Sequence, residues 1–94
     1  MLDFRVDTFL AVCRYMNFTK AASELHITQP AVSHHIHYLE ERYGVKLFEY
    51  NGKKVGLTEA GKAFLSAATT MKADELHLKK IMGQQSGKGR SLVF

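Results

Sequence analysis

The sequence feature that most constrains the fold is a helix with a clear start and a clear end, at residues 28–44 (TQPAVSHHIHYLEERYG). Thr28 is suited to cap its first turn, Pro30 stands where a missing backbone N–H costs nothing, and Gly44 is suited to end it. Apolar residues recur along one side at the helical period, namely Val32, Ile36, Leu39 and Tyr43. The pattern predicts a helix that buries one side and presents the other to solvent or to a partner.

The other side of this helix carries Ser33, His34 and His37. His34 and His37 are three residues apart and could bind a metal ion together, but one helical face supplies only these two ligands. We therefore interpret both histidines as exposed hydrogen-bonding groups, and we keep a metal-dependent switch through them as an alternative. His35, between them, is predicted to point sideways, toward the following hairpin or toward solvent.

Two shorter helices are predicted before this one. The first covers residues 3–16, with Asp3 as its N-cap and Asn17 as the residue that ends it. The second is capped by Thr19 and covers roughly 20–25. A brief connection then leads into the longer helix with the polar side, so two helices follow each other around a tight turn.

A β-hairpin is predicted after these helices, within residues 46–58. Two β-prone stretches flank Asn51-Gly52, the strongest short hairpin signal, because both central positions of such a turn need a positive φ. Lys53 and Lys54 follow directly, so a hairpin here carries two positive charges near its tip.

Thr58 is suited to cap a long helix over residues 59–82. A stripe of side chains recurs on it every three to four residues, at Ala60, Phe64, Ala68, Met71, Glu75, Leu78 and Met82. All of these except Glu75 are apolar, and a helix this long cannot bury the whole stripe on so small a domain. We therefore predict that the stripe from Phe64 to Met82 is a dimer interface with the same helix of a second copy.

Gly83 is predicted to end the long helix. Residues 84–94 contain Gly, Ser, Gln and Lys, as a flexible hinge does, and close with Ser-Leu-Val-Phe, which resembles the start of a strand. The predicted organisation is a winged domain at 1–58, a linker and dimerisation helix at 59–83, and a hinge at 84–94. The hinge would lead into a further C-terminal domain, so the chain is interpreted as a piece of a longer protein.

The composition limits the class of protein. The chain has 94 residues, of which 46% are hydrophobic, enough for one small domain with a buried core. Its 13 Lys and Arg against 9 Asp and Glu give a net charge of +4, which fits an anionic partner without identifying one. Cys13 is the only cysteine, which excludes an internal disulfide and a cysteine-based zinc site. No apolar run approaches the roughly 20 residues of a membrane span and no secretion leader is visible, so we expect a cytoplasmic protein.

Two short helices, a brief turn and a hairpin predict a mainly α fold, a winged helix-turn-helix followed by a long linker helix. An α-helix fits the major groove of DNA, and exposed residues near its start can reach base edges. A hairpin tip with two lysines can reach the phosphates beside it. No Ser/His/Asp set, phosphate-binding loop or carboxylate pair stands at a spacing that supports catalysis, so we predict that the chain is not an enzyme.

Five motifs in this order make the sequence similar to the N-terminal domain of LysR-type transcriptional regulators. They are Phe18-Thr19-Lys20-Ala21-Ala22, Thr28-Gln29-Pro30-Ala31-Val32-Ser33, Leu39-Glu40, Gly44-Val45-Lys46-Leu47-Phe48 and Leu57-Thr58-Glu59-Ala60-Gly61. The resemblance covers roughly residues 3–82. It implies a sequence-specific regulator that binds double-stranded DNA, with linker helices paired antiparallel in a homodimer and a tetramer left open for the full-length protein. It also implies a small-molecule inducer bound by a C-terminal domain, and no cofactor in this chain.

The resemblance and the charges together indicate the DNA-binding residues, which are Thr19, Lys20, Thr28, Gln29, Pro30, Ser33, His34, His37, Tyr50, Lys53 and Lys54. Gln29 is suited to a bidentate contact with adenine, and Pro30 to an apolar contact with a thymine methyl. Members of the family often have Arg or Lys at the positions of His34 or His37, and usually Arg at that of Tyr50. Because this chain carries less charge there, a winged-helix module for protein–protein contact remains an alternative.

Overall fold

The computed structural model describes residues 3–89. Its elements in chain order are α1 (Phe4–Tyr15), α2 (Phe18–Leu25), α3 (Gln29–Tyr43), β1 (Phe48–Asn51), β2 (Lys54–Leu57) and α4 (Glu59–Gly89). This order confirms the predicted mainly α fold, a winged helix-turn-helix followed by a long helix. The strand predicted at residues 91–94 lies outside the described residues. Between residues 3 and 89, no helix has the length and apolarity needed to cross a membrane.

Local capping chemistry sets most of the helix boundaries. The Asp3 side chain accepts a hydrogen bond from the Arg5 amide at 2.9 Å at the start of α1. The Thr28 hydroxyl accepts one from the Ala31 amide at 3.2 Å at the start of α3, and Gly44 ends that helix at a φ of 67°. The three predicted caps are therefore confirmed, because a short polar side chain or a glycine satisfies the free backbone groups of a helix end.

The junction between α1 and α2 differs from the prediction. Met16, not Asn17, takes the left-handed conformation that ends α1, with a φ of 47°. Asn17 instead caps α2, because its side-chain oxygen accepts a hydrogen bond from the Lys20 amide at 2.8 Å. The prediction that Thr19 caps α2 is therefore wrong, and Thr19 lies exposed in the first turn of that helix.

The hairpin is confirmed, but its turn lies one residue later than predicted. Phe48 pairs with Leu57, and Asn51 pairs with Lys54, so Asn51 belongs to the strand. The turn itself consists of Gly52 and Lys53. Only Gly52 has a positive φ, of 65°, and a glycine at the first turn position is typical of a type II′ hairpin.

Four phenylalanines connect the helices to the hairpin. The ring of Phe9 is fully buried on α1, with its centroid 4.9 Å from that of Phe64 and 5.4 Å from that of Phe48. Phe18 of α2 lies 5.6 Å from Phe48. The Phe9–Phe64 and Phe18–Phe48 contacts are edge-on, an arrangement that stabilises a core beyond the area that it buries. The start of β1 and the start of α4 are thus held on the three-helix domain.

Helix α4 packs on the domain through its N-terminal half. The Thr58 hydroxyl accepts a hydrogen bond from the Gly61 amide at 2.9 Å, which confirms the predicted cap. Farther along, the Lys72 ammonium lies 3.1 Å from the Asp7 carboxylate of α1. The helix then continues through Gly83 to Gly89, so the predicted end at Gly83 is wrong. One glycine costs a helix only about 1 kcal/mol, and Gly83 does not have the positive φ of a helix end.

The side chain of His35 does not point toward the hairpin or solvent, as predicted, but packs on α1. Its Nδ1 lies 2.9 Å from the Thr8 hydroxyl oxygen, and its ring centroid lies 5.1 Å from that of Phe4. Partial burial, followed by the nearby Arg5 charge, lowers the pKa of His35 below its usual value. The folded protein therefore disfavours the protonated imidazole.

Because His35 is partly buried, we expect the stability of the folded protein to depend on pH. Because the folded-state pKa of His35 is lowered, the unfolded chain binds the proton more readily. The contribution of neutral His35 is fully present at pH 7.5 and is lost as the pH falls below about 6.5, the ordinary value for histidine. Urea unfolding at pH 7.5 and 5.5 should show a smaller loss in His35→Gln than in the wild type. The exposed His77→Gln variant is the control, and an equal loss in all three proteins would contradict the prediction.

Candidate nucleic-acid interface

Helix α3 has one buried and one exposed side. Val32, Ile36 and Leu39 are buried in the core. On the opposite side, His34 and His37 are exposed, as is Pro30 in the first turn. The helix therefore presents its polar residues outward along much of its length, which is what a helix that enters the major groove requires.

A shallow depression of about 320 Å³ joins the start of α2, the start of α3 and the hairpin. Its walls include five of the predicted DNA-binding residues, which are Thr19, Gln29, Ser33, Tyr50 and Lys53. The structure thus brings together residues that lie up to 34 positions apart in the sequence, from Thr19 to Lys53. The first helical turn of α3 and the hairpin tip form one continuous surface.

Gln29 and Ser33 are linked across one turn of α3. The Gln29 side-chain amide donates a hydrogen bond to the Ser33 hydroxyl at 3.0 Å. The bond holds the Gln29 side chain along the helix surface and leaves its carbonyl oxygen and second N–H available. A side chain restrained in this way loses less conformational entropy when it binds.

Thr28 has a structural role whether or not it touches a partner. Its hydroxyl is already engaged with the Ala31 amide as the α3 cap. A hydroxyl oxygen has two lone pairs and one O–H, so Thr28 can still donate to a phosphate or a base while it caps. The predicted DNA contact of Thr28 stays a prediction.

Tyr50 stands on β1 where members of the family usually have an arginine. Its ring lies 6.3 Å from that of Phe18, and the side chain remains 64% exposed. Partial burial, followed by the Glu40 charge, raises the pKa of the Tyr50 hydroxyl above its usual value. The hydroxyl is therefore protonated at neutral pH and can donate a hydrogen bond to an anionic oxygen.

The arginines of α1 are engaged in ion pairs, whereas among the described residues the lysines of α2 and the hairpin are not. Arg5 and Arg14 are paired with Asp3 and Glu24, at 3.3 and 2.6 Å. The predicted phosphate ligands Lys20, Lys53 and Lys54 form no ion pair within residues 3–89 and are exposed. Lys53 lines the depression at the hairpin tip and supplies positive charge there, while Lys20 lies on α2 and Lys54 on β2.

In the described part of the chain, His34 and His37 do not belong to a cluster of metal ligands. No group of three or more His, Cys, Asp or Glu side chains there is placed to bind one metal ion. His37 instead lies near Glu40, with 3.6 Å between its Nδ1 and a carboxylate oxygen. Lys46 approaches the same oxygen at 3.9 Å.

Glu40 is the residue near this surface that sequence reasoning missed. Its carboxylate accepts a hydrogen bond from the Leu47 amide at 2.9 Å, although seven residues separate the two. The Leu39-Glu40 motif was a signal that the position matters, but nothing local in the sequence shows which backbone group it binds.

The predicted dimer stripe on α4 is divided between two roles. Ala68 is 1% exposed and belongs to the core of the single chain, and the half-buried Phe64 packs against that core through Phe9. Ala68 thus has its contacts within the single chain, whereas the predicted interface contact of the half-buried Phe64 stays a prediction. The remaining apolar members are exposed, namely Met71, Leu78 and Met82. Glu75 is half-buried beside Lys72, at 3.7 Å.

A second apolar surface lies between α1 and α4. It is a groove lined by Leu10, Cys13, Leu65 and Leu76, with polar residues at its margins. Burial raises the pKa of the Cys13 thiol to about 12. The thiol is therefore protonated and poorly nucleophilic at neutral pH, as expected for a packing residue rather than a redox sensor.

Comparison with known proteins identifies the family. The model of the bacterial regulatory helix-turn-helix proteins of the lysR family matches residues 5–62. The chain belongs to the LysR family. It is a DNA-binding domain of a transcription regulator of that type, and the proteins that it resembles are regulators, not enzymes.

Individual relatives agree with this assignment. The RuBisCO operon transcriptional regulator of Allochromatium vinosum is 38% identical over 86 residues, which are 92% of this chain and 28% of that protein. A LysR-family regulator from Eggerthella lenta, solved at 1.60 Å, is 62% identical with a TM-score of 0.69, over 73% of this chain and 99% of that chain. The chain thus spans less than a third of the length of the Allochromatium regulator.

Several similar solved structures contain DNA. The BenM DNA-binding domain in complex with benA site 1 DNA is 30% identical, with a TM-score of 0.85, over 92% of this chain and 97% of that chain. The fold described above is therefore the fold of a LysR DNA-binding domain.

Proposed function

We propose that this chain reads a specific operator as a homodimer, with the recognition helix at residues 28–43 in the major groove and the wing at 48–57 on the backbone. In this arrangement Gln29, Pro30 and Ser33 face base edges, while lysines and hydroxyls contact phosphates. Base contacts supply the specificity and phosphate contacts supply most of the affinity.

The observation that carries the proposal is the shared depression at the start of α3. It joins Gln29 and Ser33 to Lys53 and Tyr50 of the hairpin on one exposed surface. In a DNA duplex, base edges lie next to phosphates. A protein that binds both therefore needs hydrogen-bonding side chains next to cationic ones on the same surface. The BenM DNA-binding domain, which has the same fold, was solved bound to DNA, and this supports DNA as the partner of the domain.

The dimer rests on α4. Met71, Leu78 and Met82 are exposed although they are large and apolar, and a second α4 would remove them from water. Two domains related by a twofold axis would place two recognition helices on a pseudo-palindromic site. Half-sites are then expected about one helical turn, or a multiple of it, apart.

The whole protein is proposed to extend beyond this chain, since the chain spans 28% of the length of the Allochromatium regulator. A small-molecule inducer would bind in the remaining part, and the protein would act in the cytoplasm, where bacterial DNA lies. A tetramer of the full-length protein would join two such DNA-binding dimers.

A selection experiment tests the proposal. Random double-stranded DNA is bound to the chain at two salt concentrations, and the retained molecules are sequenced. Enrichment of an inverted repeat with half-sites about a helical turn apart is the expected result. Retention of no DNA, even at low salt, would overturn the proposal in favour of a protein-interaction module, and loss of binding on adding a chelator would indicate a metal switch.

The wing lysines should control the salt dependence of binding. If Lys53 and Lys54 each neutralise one phosphate, replacing both with alanine should reduce the slope of log K against log salt by about 1.8 per subunit. The matched control is Lys79→Ala with Lys80→Ala, which removes the same charge from an exposed part of α4. Equal slopes for the wing variant and the wild type, measured by fluorescence anisotropy, would remove the wing from the interface.

A further inference from the structure

The carboxylate of Glu40 lies between the recognition helix and the segment that enters the hairpin. Its side chain is only 10% exposed. One oxygen, Oε2, accepts the hydrogen bond from the Leu47 amide at 2.9 Å. The other oxygen, Oε1, lies 3.6 Å from Nδ1 of His37 and 3.9 Å from the ammonium of Lys46.

The position of this carboxylate is restrained from both sides. Leu47 is fully buried, and its carbonyl oxygen accepts a hydrogen bond from the Thr58 amide at 3.1 Å. Glu40 is therefore held by a backbone segment that is itself fixed at both ends. The Lys46 side chain is 76% exposed and is free to swing toward solvent, so it does not compete firmly for Oε1.

The imidazole of His37 has one protected and one open side. Its side chain is 69% exposed, and the ring nitrogen near the protein is Nδ1, which faces the Glu40 carboxylate. Nε2, at the other side of the ring, is left to solvent on the exposed face of α3. The 3.6 Å between Nδ1 and Oε1 is an electrostatic contact slightly longer than a hydrogen bond.

An ionised carboxylate accepts hydrogen bonds and donates none, so it favours the tautomer of a neighbouring neutral imidazole that carries its proton on the nearer nitrogen, here Nδ1. Nε2 then has a free lone pair. In a neutral histidine, the hydrogen-bond partner of one ring nitrogen determines whether the other nitrogen carries the proton.

We propose that Glu40 is a positioning residue that sets the tautomer of His37, so that Nε2 accepts a hydrogen bond from an exocyclic amino group in the major groove. The amino groups displayed there are N6 of adenine and N4 of cytosine. The inference rests on the proposed function, because it needs α3 in the groove. It adds one base position, beyond those that Gln29 and Ser33 read, and rejects guanine and thymine at that position, which present acceptors there.

The tautomer is measured first, without DNA. Long-range ¹H–¹⁵N spectra of the labelled chain at pH 8, where an ordinary histidine is neutral, distinguish a protonated ring nitrogen from a bare one. For His37 we expect a protonated Nδ1 and a bare Nε2. In Glu40→Gln the side-chain carbonyl can still accept the Leu47 hydrogen bond, while the amide N–H₂ faces Nδ1, so the proton is expected to move to Nε2.

The matched control is Glu41→Gln, which removes the same charge from the neighbouring exposed residue of α3 and should leave the His37 tautomer unchanged. A wild-type His37 with its proton on Nε2, or the same tautomer in Glu40→Gln, would overturn the proposal. If Glu40→Gln does not fold, the wild-type spectrum alone decides, because the proposal requires a protonated Nδ1 there.

Base preference is measured second, by sequencing DNA selected by each protein. The wild type should prefer adenine or cytosine at one further position of each half-site, and His37→Ala should reduce this preference about fivefold. Glu40→Gln should favour guanine or thymine there. An unchanged preference in His37→Ala would overturn the base contact. Absence of DNA binding by the wild type would instead overturn the proposed function, and the tautomer result would stand.

Discussion

We expect Gly61→Ala to lower the free energy of unfolding by about 2 kcal/mol. A Cβ atom at this buried position would collide with the Leu47 carbonyl oxygen and approach Cδ2 of Leu57 at 2.9 Å. Overpacking against backbone costs about 3 kcal/mol, while alanine gains about 1 kcal/mol over glycine in a helix. The loss predominates because the atom in the way belongs to the backbone and cannot rotate aside.

The strain would affect other parts of the domain, because the backbone of Leu47 is hydrogen-bonded on both sides. Its carbonyl accepts the hydrogen bond from Thr58, and its amide donates to Glu40 on α3. Moving Leu47 therefore loosens the contact of the recognition helix with the wing as well as the contact with α4. For a domain of this size the expected loss corresponds to a fall in Tm of roughly 10 °C, measured by circular dichroism.

Gly83→Ala is the matched control for this substitution. It makes the same chemical change on the same helix, but nothing lies within 4 Å of the added Cβ. We expect this variant to be slightly more helical and no less stable, because the helix gains about 1 kcal/mol locally. If both variants behaved alike, the close approach of Gly61 to Leu47 would not be a feature of the protein in solution.

What could be predicted from the sequence follows from the range of each interaction. The caps at Asp3, Thr28 and Thr58 were predictable, because each binds a backbone group within three residues of itself. The motifs shared with the LysR family located the recognition helix and the order of the elements. The spacing of Gln29 and Ser33, four residues apart, already placed them on one face of a helix.

The errors lie where a competing or distant interaction decides the outcome. Asn51-Gly52 is a strong turn signal, yet pairing of Phe48 with Leu57, which buries Phe48, shifts the turn to Gly52-Lys53. The predicted stripe on α4 contained both buried and exposed residues. The periodicity of a single helix shows which residues share a face, but not how far along that face another helix packs.

The site divides in the same way. Residue types suited to DNA could be chosen from the sequence, and the structure brings Thr19, Gln29 and Tyr50 onto one surface. The hydrogen bond from the Leu47 amide to Glu40 could not be predicted from the sequence, because it joins a side chain near the end of α3 to a backbone amide beyond that helix. The histidines and the tyrosine at positions where Arg or Lys was expected could be read from the sequence, but only the structure shows that Arg14 of α1 is paired with Glu24.

The largest effect on recognition is expected from Gln29→Ala. A bidentate contact between glutamine and adenine contributes about 1–3 kcal/mol of discrimination, and a twofold-symmetric reader makes the contact in both half-sites. The substitution should abolish the preference for adenine at one position of each half-site. It should leave stability nearly unchanged, because Gln29 is exposed and substitutions at such positions usually alter stability by about 0.5 kcal/mol or less.

Two comparisons separate base reading from general binding. Affinity of Gln29→Ala for an unrelated duplex should equal that of the wild type, because non-specific binding depends on charge and Gln29 has none. Ser33→Ala should weaken the adenine preference but not abolish it. This substitution removes the 3.0 Å hydrogen bond that restrains the Gln29 side chain, while the Gln29 amide itself is kept. A uniform loss of affinity on every duplex would show that Gln29 contacts phosphate, whereas loss confined to the selected operator establishes it as the adenine reader.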